Sequence, residues 1–409
     1  MTDDIEAEER LPLELKALIV AELASQGDRA SIGAFSLTQR AMMNLCQEHI
    51  FQDIRLTSFA LVCRLRLLLY ESAHLAQHVR ALHFREHMYD DDFWLYTDSN
   101  VSDILAVVPN LLHLTLYSAG SPHNFSPALC EALCEVLPSL HTLGMASVHG
   151  APATLFSSMK SLRGLHMSYT TFAPYEGWAR IRTSTMPASL IHLHIEGTLP
   201  SAPWFDRLLD RESRFPLSVR ALRTLHVECP SDGRSDHVES LLSNVADTLH
   251  ALEMNMEQLY EWSDDESDDE PPFITLERMH ALKVLILRDI PYNAHDDWAR
   301  MAISVPSLEH LVVNFDEDSL RLDVPRMIFR LFGPDSPLKV VTVHLDHNSY
   351  LGDDLQLKDA LCKHYHSPTH DGRKVTVEEV SRPIMEAVPP ADGSCRIMLY
   401  EWGEWPQAA

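Results

Sequence analysis

Ten times along this chain one apolar pattern returns: a leucine or valine, a second apolar residue three positions on, and a third two positions after that. The copies are Val79-Leu82-Phe84, Leu111-Leu114-Leu116, Leu140-Leu143-Met145, Leu162-Leu165-Met167, Leu190-Leu193-Ile195, Leu222-Leu225-Val227, Leu249-Leu252-Met254, Leu282-Leu285-Leu287, Leu308-Leu311-Val313 and Leu338-Val341-Val343. Within each copy the last two side chains stand two positions apart, the period of a β-strand, so both point to one face. The first apolar residue turns the chain into that strand. One such unit cannot enclose a core, because ordering its backbone costs more than burying these side chains returns. The units must therefore stack, their strands pairing in parallel and each crossover returning over one side of the sheet.

The average step is about 29 residues, which is the range of leucine-rich repeats. Several crossovers read as helices. In Pro127–Leu137 the leucines and alanines follow helical spacing, and Pro138 ends the run. A polar or small residue precedes the first leucine in Asn110-Leu111, Ser139-Leu140, Ser161-Leu162, Ser189-Leu190 and Ser307-Leu308. One column departs from a regular array. Where the usual repeat carries an asparagine two residues past the strand, this chain has Ala119, Val148, Thr170, Thr198, Pro230, Glu257, Ile290, Asp316 and Asp346. The expectation is an α/β fold, an irregular leucine-rich-repeat solenoid with a parallel sheet over residues 77–346. A non-repetitive α/β domain is the bland alternative.

Composition narrows the class of partner. A formal charge of −26 over 409 residues disfavours nucleic acid, whose phosphates reward Lys and Arg, and an anionic membrane surface. It suits a basic protein partner. Seven cysteines with no Cys-x-x-Cys pair suggest a reducing compartment, hence an intracellular protein of cytoplasm or nucleus. Met1 is followed by the acidic Thr2-Asp3-Asp4-Ile5-Glu6, which does not read as a secretion leader. The apolar run Leu65–Tyr70 is short and broken by Arg66, so no membrane span is expected.

Residues 10–56 differ from the rest, after an acidic tail at 1–9. Leu11, Leu15, Leu18, Ile19 and Leu23 follow helical spacing behind Pro12. Gly27-Asp28 marks a break. A second helix is expected over Arg29–Leu37 and a third from about Thr38 to Phe51, with Met42, Leu45, Cys46 and Ile50 on its apolar face. Leu18 and Leu37 are expected to be internal. A core this small invites a partner to complete it. A connecting helix is expected over 57–76.

The string Leu11-Pro12-Leu13-Glu14-Leu15-x-x-x-Ile19-x-x-x-Leu23, then Phe35-Ser36-Leu37-Thr38-Gln39-Arg40, then Cys46-Gln47-x-x-Ile50-Phe51-x-x-Ile54-x-Leu56, resembles an F-box. The order and spacing are similar to those of fungal F-box proteins with C-terminal leucine-rich repeats. Many members have a tryptophan shortly after the Ser-Leu-x-x-Arg run, where this chain has Ala41-Met42-Met43. The resemblance implies a non-catalytic substrate receptor of a Skp–cullin–F-box ubiquitin ligase. It implies that Leu11, Pro12, Leu15, Ile19 and Leu23 pack against a Skp-type adaptor, and through it reach a cullin, with Leu37 and Leu45 as further contacts. The alternatives are that these leucines cap the repeat array, or that the chain is an interaction scaffold outside any ligase.

Between the two inward residues of each strand lies one that faces the other way. That column reads His83, Thr115, Gly144, His166, His194, His226, Glu253, Ile286, Val312 and Thr342. His166, His194 and His226 fall on successive strands about 4.8 Å apart. Glu196, Glu228, Asn255 and Arg288 form the next column outward. A concave face with histidine beside carboxylate suits a basic protein substrate, so His166, His194, Glu196, His226, Glu228 and Glu253 are the candidate substrate-binding residues, with binding that weakens as the histidines charge. The alternative is ordinary solvated positions. With no cysteine or fourth ligand in register, no metal is expected.

The segment 263–272, Ser263-Asp264-Asp265-Glu266-Ser267-Asp268-Asp269-Glu270-Pro271-Pro272, reads as an acidic disordered loop with serines suited to an acidophilic kinase. Residues 347–409 are expected to cap the array, with a strand over Cys395–Trp402. Cys362, His364, His366 and His370 match no common zinc spacing. No nucleophile elbow, Walker loop or dinucleotide fingerprint occurs. The chain is expected to be no enzyme and to need no cofactor.

Overall fold

Three helices open the chain because their apolar residues interlock. In this computed structural model, residues 12–26, 28–38, 40–86, 93–118, 125–173, 187–197, 202–210, 215–228, 235–256, 276–290, 297–315, 331, 337–346 and 374–380 are described. Helix α1 (Leu13–Ser25) starts directly after Pro12, whose carbonyl accepts the Lys16 N–H at 3.1 Å. Helix α2 (Arg29–Ser36) is capped by Asp28, whose Oδ1 accepts the Ser31 N–H at 3.0 Å. Helix α3 spans Arg40–Gln52. Val20, Ile32, Met42 and Cys46 make the buried core, and Leu23, Ala24, Phe35, Leu45 and Ile50 pack against it.

The inward face of α1 is not the expected one. Val20, Leu23 and Ala24 point to the core, while Leu15, Leu18 and Ile19 face out. Leu18 and Leu37, expected inside, are 65% and 87% exposed. Both sets have i, i+3, i+4 spacing, so α1 carries two apolar stripes. Helices α2 and α3 can cover only one of them.

The chain divides into two compact units, Met1–Ser161 and Leu162–Ala409. In the first unit, β1 (Asp53–Leu56) pairs in parallel with β2 (Ala81–Arg85). Strand pairing thus begins inside residues 10–56, and the boundary drawn at 56 does not separate helices from repeats. The expected connecting helix is the crossover between these strands: α4 (Phe59–Glu71) and a 3-10 turn, Ala73–His78. Helices α5 (Trp94–Thr97) and α6 (Ser99–Val107) lead to β3 (His113–Tyr117). Helix α7 (Pro127–Val136) begins with its proline in the first turn, and Ser126 Oγ accepts the Leu129 N–H at 3.2 Å. It leads to β4 (Thr142–Ala146) and a 3-10 turn, Ala153–Ser158. Leu82, Leu114 and Leu143 stand in register, as do Phe84, Leu116 and Met145.

The second unit repeats the arrangement. Its elements are β5 (Gly164–Ser168), β6 (Ala188–Ser189), β7 (His192–Glu196), α8 (Ala202–Leu209), β8 (Leu217–Ser218), β9 (Thr224–Glu228), α9 (Ser235–Val245) and β10 (Ala251–Asn255). Then come β11 (Val284–Ile290), α10 (Asp297–Ser304), β12 (His310–Phe315), β13 (Val340–Asp346) and β14 (Lys374–Val380). The strands lie in the order β5-β7-β9-β10-β11-β12-β13-β14, with β6 and β8 paired separately. Leu165, Leu193, Leu225, Leu252, Leu285, Leu311 and Val341 make one continuous row. Strand β14, in the expected cap, extends the pairing by one more parallel strand. The acidic loop 263–272, the stretch Cys395–Trp402, the segment Cys362–His370 and Leu11 lie outside the described residues.

Two devices join neighbouring repeats. The carbonyl just before a strand accepts two N–H groups from the next repeat: Arg80 from Leu112 and His113, Ile191 from Arg223 and Thr224, Lys283 from Glu309 and His310. The polar residue ahead of the first leucine also reaches back. Asn110 Nδ2 donates to the Gln77 carbonyl at 2.9 Å, Ser139 Oγ to Leu111 at 3.3 Å and Ser307 Oγ to Leu282 at 2.8 Å. These bonds do the lateral work that an asparagine past the strand does elsewhere. At the β2 exit a buried carboxylate takes over: Glu86 Oε1 accepts the Leu95 N–H at 2.6 Å and Oε2 accepts Ser118 Oγ at 3.2 Å.

Among the described residues no helix is long and apolar enough to cross a membrane. Leu225 sits fully buried in the central row. Leu225→Ala is expected to cost about 2–5 kcal/mol in urea unfolding, against less than about 0.5 kcal/mol for the exposed Leu18→Ala. A small loss at Leu225 would show that the rows are not close-packed.

Candidate functional site

The polar cluster on the second unit follows from strand register. Parallel pairing sets His166 beside His194, His194 beside His226, and His226 beside Glu253. All four occupy the outward position between two inward leucine-row residues. The three rings form a column. Their centroids are 3.8 Å apart at both steps, with interplanar angles of 13° and 8°. That is closer than the strand spacing of about 4.8 Å, so the rings have drawn into face-to-face contact.

The column expected as a concave substrate-binding face is largely closed, and so is its alternative of ordinary solvated positions. His166, His226, Glu228 and Glu253 are buried, Glu253 completely. Of the six candidate residues, His194 and Glu196 keep side-chain exposure, 12% and 33%, and Arg288, one strand beyond Glu253, keeps 28%. Stacking removes the ring faces from water. Beyond Glu253 the same column continues as buried Ile286, Val312 and Thr342. Strands β11 and β12 are thus buried on both faces, which is why Val284-Leu285-Ile286-Leu287 and Leu311-Val312-Val313 read as unbroken apolar runs.

Each carboxylate has a different set of neighbours. Glu253 lies between His226 Nδ1, 3.1 Å from its Oε2, and the Arg288 guanidinium against its Oε1. Burial opposes its ionisation, but His226 and Arg288 together hold its carboxyl below the usual range. Glu228 accepts the Gly197 N–H. Gly197 has φ +74°, and a β-carbon there would collide with the Tyr169 ring, so the turn that presents this N–H requires glycine. Glu196 Oε2 accepts Ser168 Oγ at 3.0 Å and lies 3.4 Å from His194 Nε2. Burial again opposes ionisation, yet His194 and Ser168 bring the Glu196 carboxyl down to about 2.

The imidazoles are pushed the other way. Burial, reinforced by the adjacent rings, holds His166 well below its ordinary value. Burial and His226 bring His194 down to about 4, against the opposing pull of Glu196 and Glu253. At neutral pH the site therefore contains neutral His166 and His194 beside ionised Glu196 and Glu253.

His166, His194 and Glu196 form the one group of metal-capable side chains found among the described residues. One ligand atom from each lies within 4.8 Å of the others. All three stand among the candidate substrate-binding residues named from the sequence, where no metal is expected for want of a cysteine or fourth ligand in register; the approach of Glu196 to His194, two positions apart on β7, is what the structure adds. Ser168 was missed; its register partner on β7 is Glu196, and that pairing was the available signal.

The class this geometry defines is a leucine-rich-repeat-like protein with a long parallel sheet. No protein-family model matches the chain, and no curated protein matches it. Among solved structures it is similar to an internalin from Listeria monocytogenes strain 4b F2365, at 13% identity and a TM-score of 0.30. The match covers 76% of this chain and 82% of that one.

The depressed imidazoles set the acid response. Between pH 6.5 and about 4 the unfolded chain protonates His194 while the folded chain does not. Stability is therefore lost as pH falls through that window. At pH 4.5 the loss from His194 is about 2.5 kcal/mol. Urea unfolding at pH 7 and pH 4.5 checks this: His194→Gln should shrink the acid-induced loss by about that amount, and an unchanged difference would refute it.

Proposed function

We propose that this chain is a non-catalytic substrate receptor of a Skp–cullin–F-box ubiquitin ligase, its front helices gripping the adaptor and its repeats holding a target protein. The observation that carries this reading is the uncovered stripe of α1. Leu15 is 46%, Leu18 65% and Ile19 37% exposed, while Val20, Leu23 and Ala24 on another face make the module's own core. Leu37, at 87%, adds a further exposed apolar side chain. Leucine-type residues at i, i+3 and i+4 are what a helix offers to an apolar groove, and leaving them in water without an occupant gains the fold nothing. Pro12 is exposed at the start of the stripe.

The stripe also sorts the residues that the F-box resemblance brought forward. Leu15 and Ile19 are available to an adaptor. Leu23 packs against the helical core, so its contribution is to the module's shape. Leu18 and Leu37 join the surface.

On the repeats, target contact falls to His194 and Glu196, which keep side-chain exposure on β7. Glu228 is engaged by Gly197, and replacing it would disturb the turn. A protein target of basic character remains the match to a chain of net charge −26. Ubiquitin transfer would be carried out by other subunits.

Co-purification with a Skp-type adaptor tests the proposal. The full chain should bind, and the Leu15→Asp, Ile19→Asp double variant should lose binding by at least about 100-fold (two disrupted anchors) with its thermal unfolding preserved. Absence of binding by the unaltered chain, or undiminished binding by the folded double variant, would overturn it.

A further inference from the structure

We propose that His166, His194 and Glu196 form a binding site for a divalent transition-metal ion of the zinc class, linking strands β5 and β7. The proposal is independent of whether the front helices hold an adaptor.

The donor set is of the right kind. Two imidazoles and one carboxylate are ligands that zinc and its neighbours accept, and three protein ligands leave one coordination position open. Their ligand atoms already lie within 4.8 Å of one another, with His194 Nε2 and Glu196 Oε2 3.4 Å apart. Bonds of about 2.1 Å at tetrahedral angles put ligand atoms roughly 3.4 Å apart, so this pair already has the spacing of one edge.

Charge bookkeeping points the same way. Glu253 faces the Arg288 guanidinium and His226, and Glu228 takes the Gly197 N–H. Glu196 is an ionised carboxylate whose neighbours are the Ser168 hydroxyl and a neutral imidazole. Among the described residues no lysine or arginine pairs with it. A cation seated among the three donors would supply the missing positive charge. The imidazoles are in the form that ligates, because burial keeps them unprotonated at neutral pH.

A supporting shell is in place. Ser168 Oγ donates to the Glu196 oxygen that faces His194, which fixes the carboxylate as outer-shell donors do in metal sites. His226 stays on Glu253 and forms the third ring of the column. In the stacked arrangement the His166 and His194 planes are nearly parallel, so their lone pairs do not meet. Capture of one ion by both requires the rings to fan apart about Cβ–Cγ, drawing the 4.8 Å spread inward. Binding therefore exchanges a ring stack for a cross-strand metal bridge.

The test uses the full chain, stripped with a chelator and titrated with Zn²⁺ by calorimetry and with Co²⁺ by visible absorption. With 23 histidines in the chain, the informative quantity is the part of binding that depends on these residues. One Co²⁺ per chain should give ligand-field bands of a low-coordinate site. His166→Gln, His194→Gln and Glu196→Gln should each abolish the bands and weaken Zn²⁺ by at least about 100-fold, while Ser168→Ala weakens it about 10-fold. Far-ultraviolet circular dichroism confirms that each variant is folded. Should a variant fail to fold, histidine side-chain ¹⁵N resonances of the unaltered protein give the second measurement: Zn²⁺ must shift those of His166 and His194 together. Absence of stoichiometric binding, Co²⁺ bands that survive in folded His194→Gln and Glu196→Gln, or His166 and His194 resonances unmoved by Zn²⁺ would overturn the proposal.

Discussion

In-register parallel pairing of short strands is the constraint from which the rest of the described structure follows. Each repeat contributes a strand of about five residues, too little to hold itself together. Register aligns the leucines into rows, and the rows become a core only because every strand is stopped at the same height. The bifurcated carbonyls at Arg80, Ile191 and Lys283 set that height. Each receives two N–H groups from the following repeat, so a slip of one residue would break both bonds. It would also turn the leucine row toward the opposite face.

The same register generates the polar site. Nothing local brings His166, His194 and His226 together; they are dozens of residues apart along the chain. They meet because each occupies the middle of a strand whose flanking residues point inward. Once stacked, they shield one another from water, and the cost of charging a shielded ring keeps His166 and His194 neutral. Neutral rings can then sit beside one another and beside ionised Glu196. The site's electrostatics are thus a consequence of the ladder that carries the core.

The front helices obey a different logic. Helix α1 displays more apolar surface than two short neighbours can cover, and the surplus stays outside at Leu15, Leu18 and Ile19. Strand β1 ties this module directly into pairing with β2, so helices and first repeats belong to one unit, Met1–Ser161. An apolar stripe on a firmly anchored module is well suited to recruit a partner, because little further ordering is required when the partner arrives.

By itself the sequence determined the ten repeat strands, their order and their inward rows, while β1, β6, β8 and β14 emerged only in the structure. A spacing of three and then two residues, repeated ten times, admits one periodic solution, and each of the ten lead residues from Val79 to Leu338 is buried as that solution requires. It also placed the three histidines on neighbouring strands, since register follows from the repeats. The tertiary structure alone also decided which side chains see water. Two stripes on α1 are equivalent in periodicity, and packing chose Val20 over Leu18. Likewise the outward column looks solvated when read residue by residue, whereas ring stacking and burial of both faces of β11 and β12 closed most of it. The meeting of Glu196 with His194 depends on a side chain bending back along its own strand, and strand periodicity carries no information about that bend.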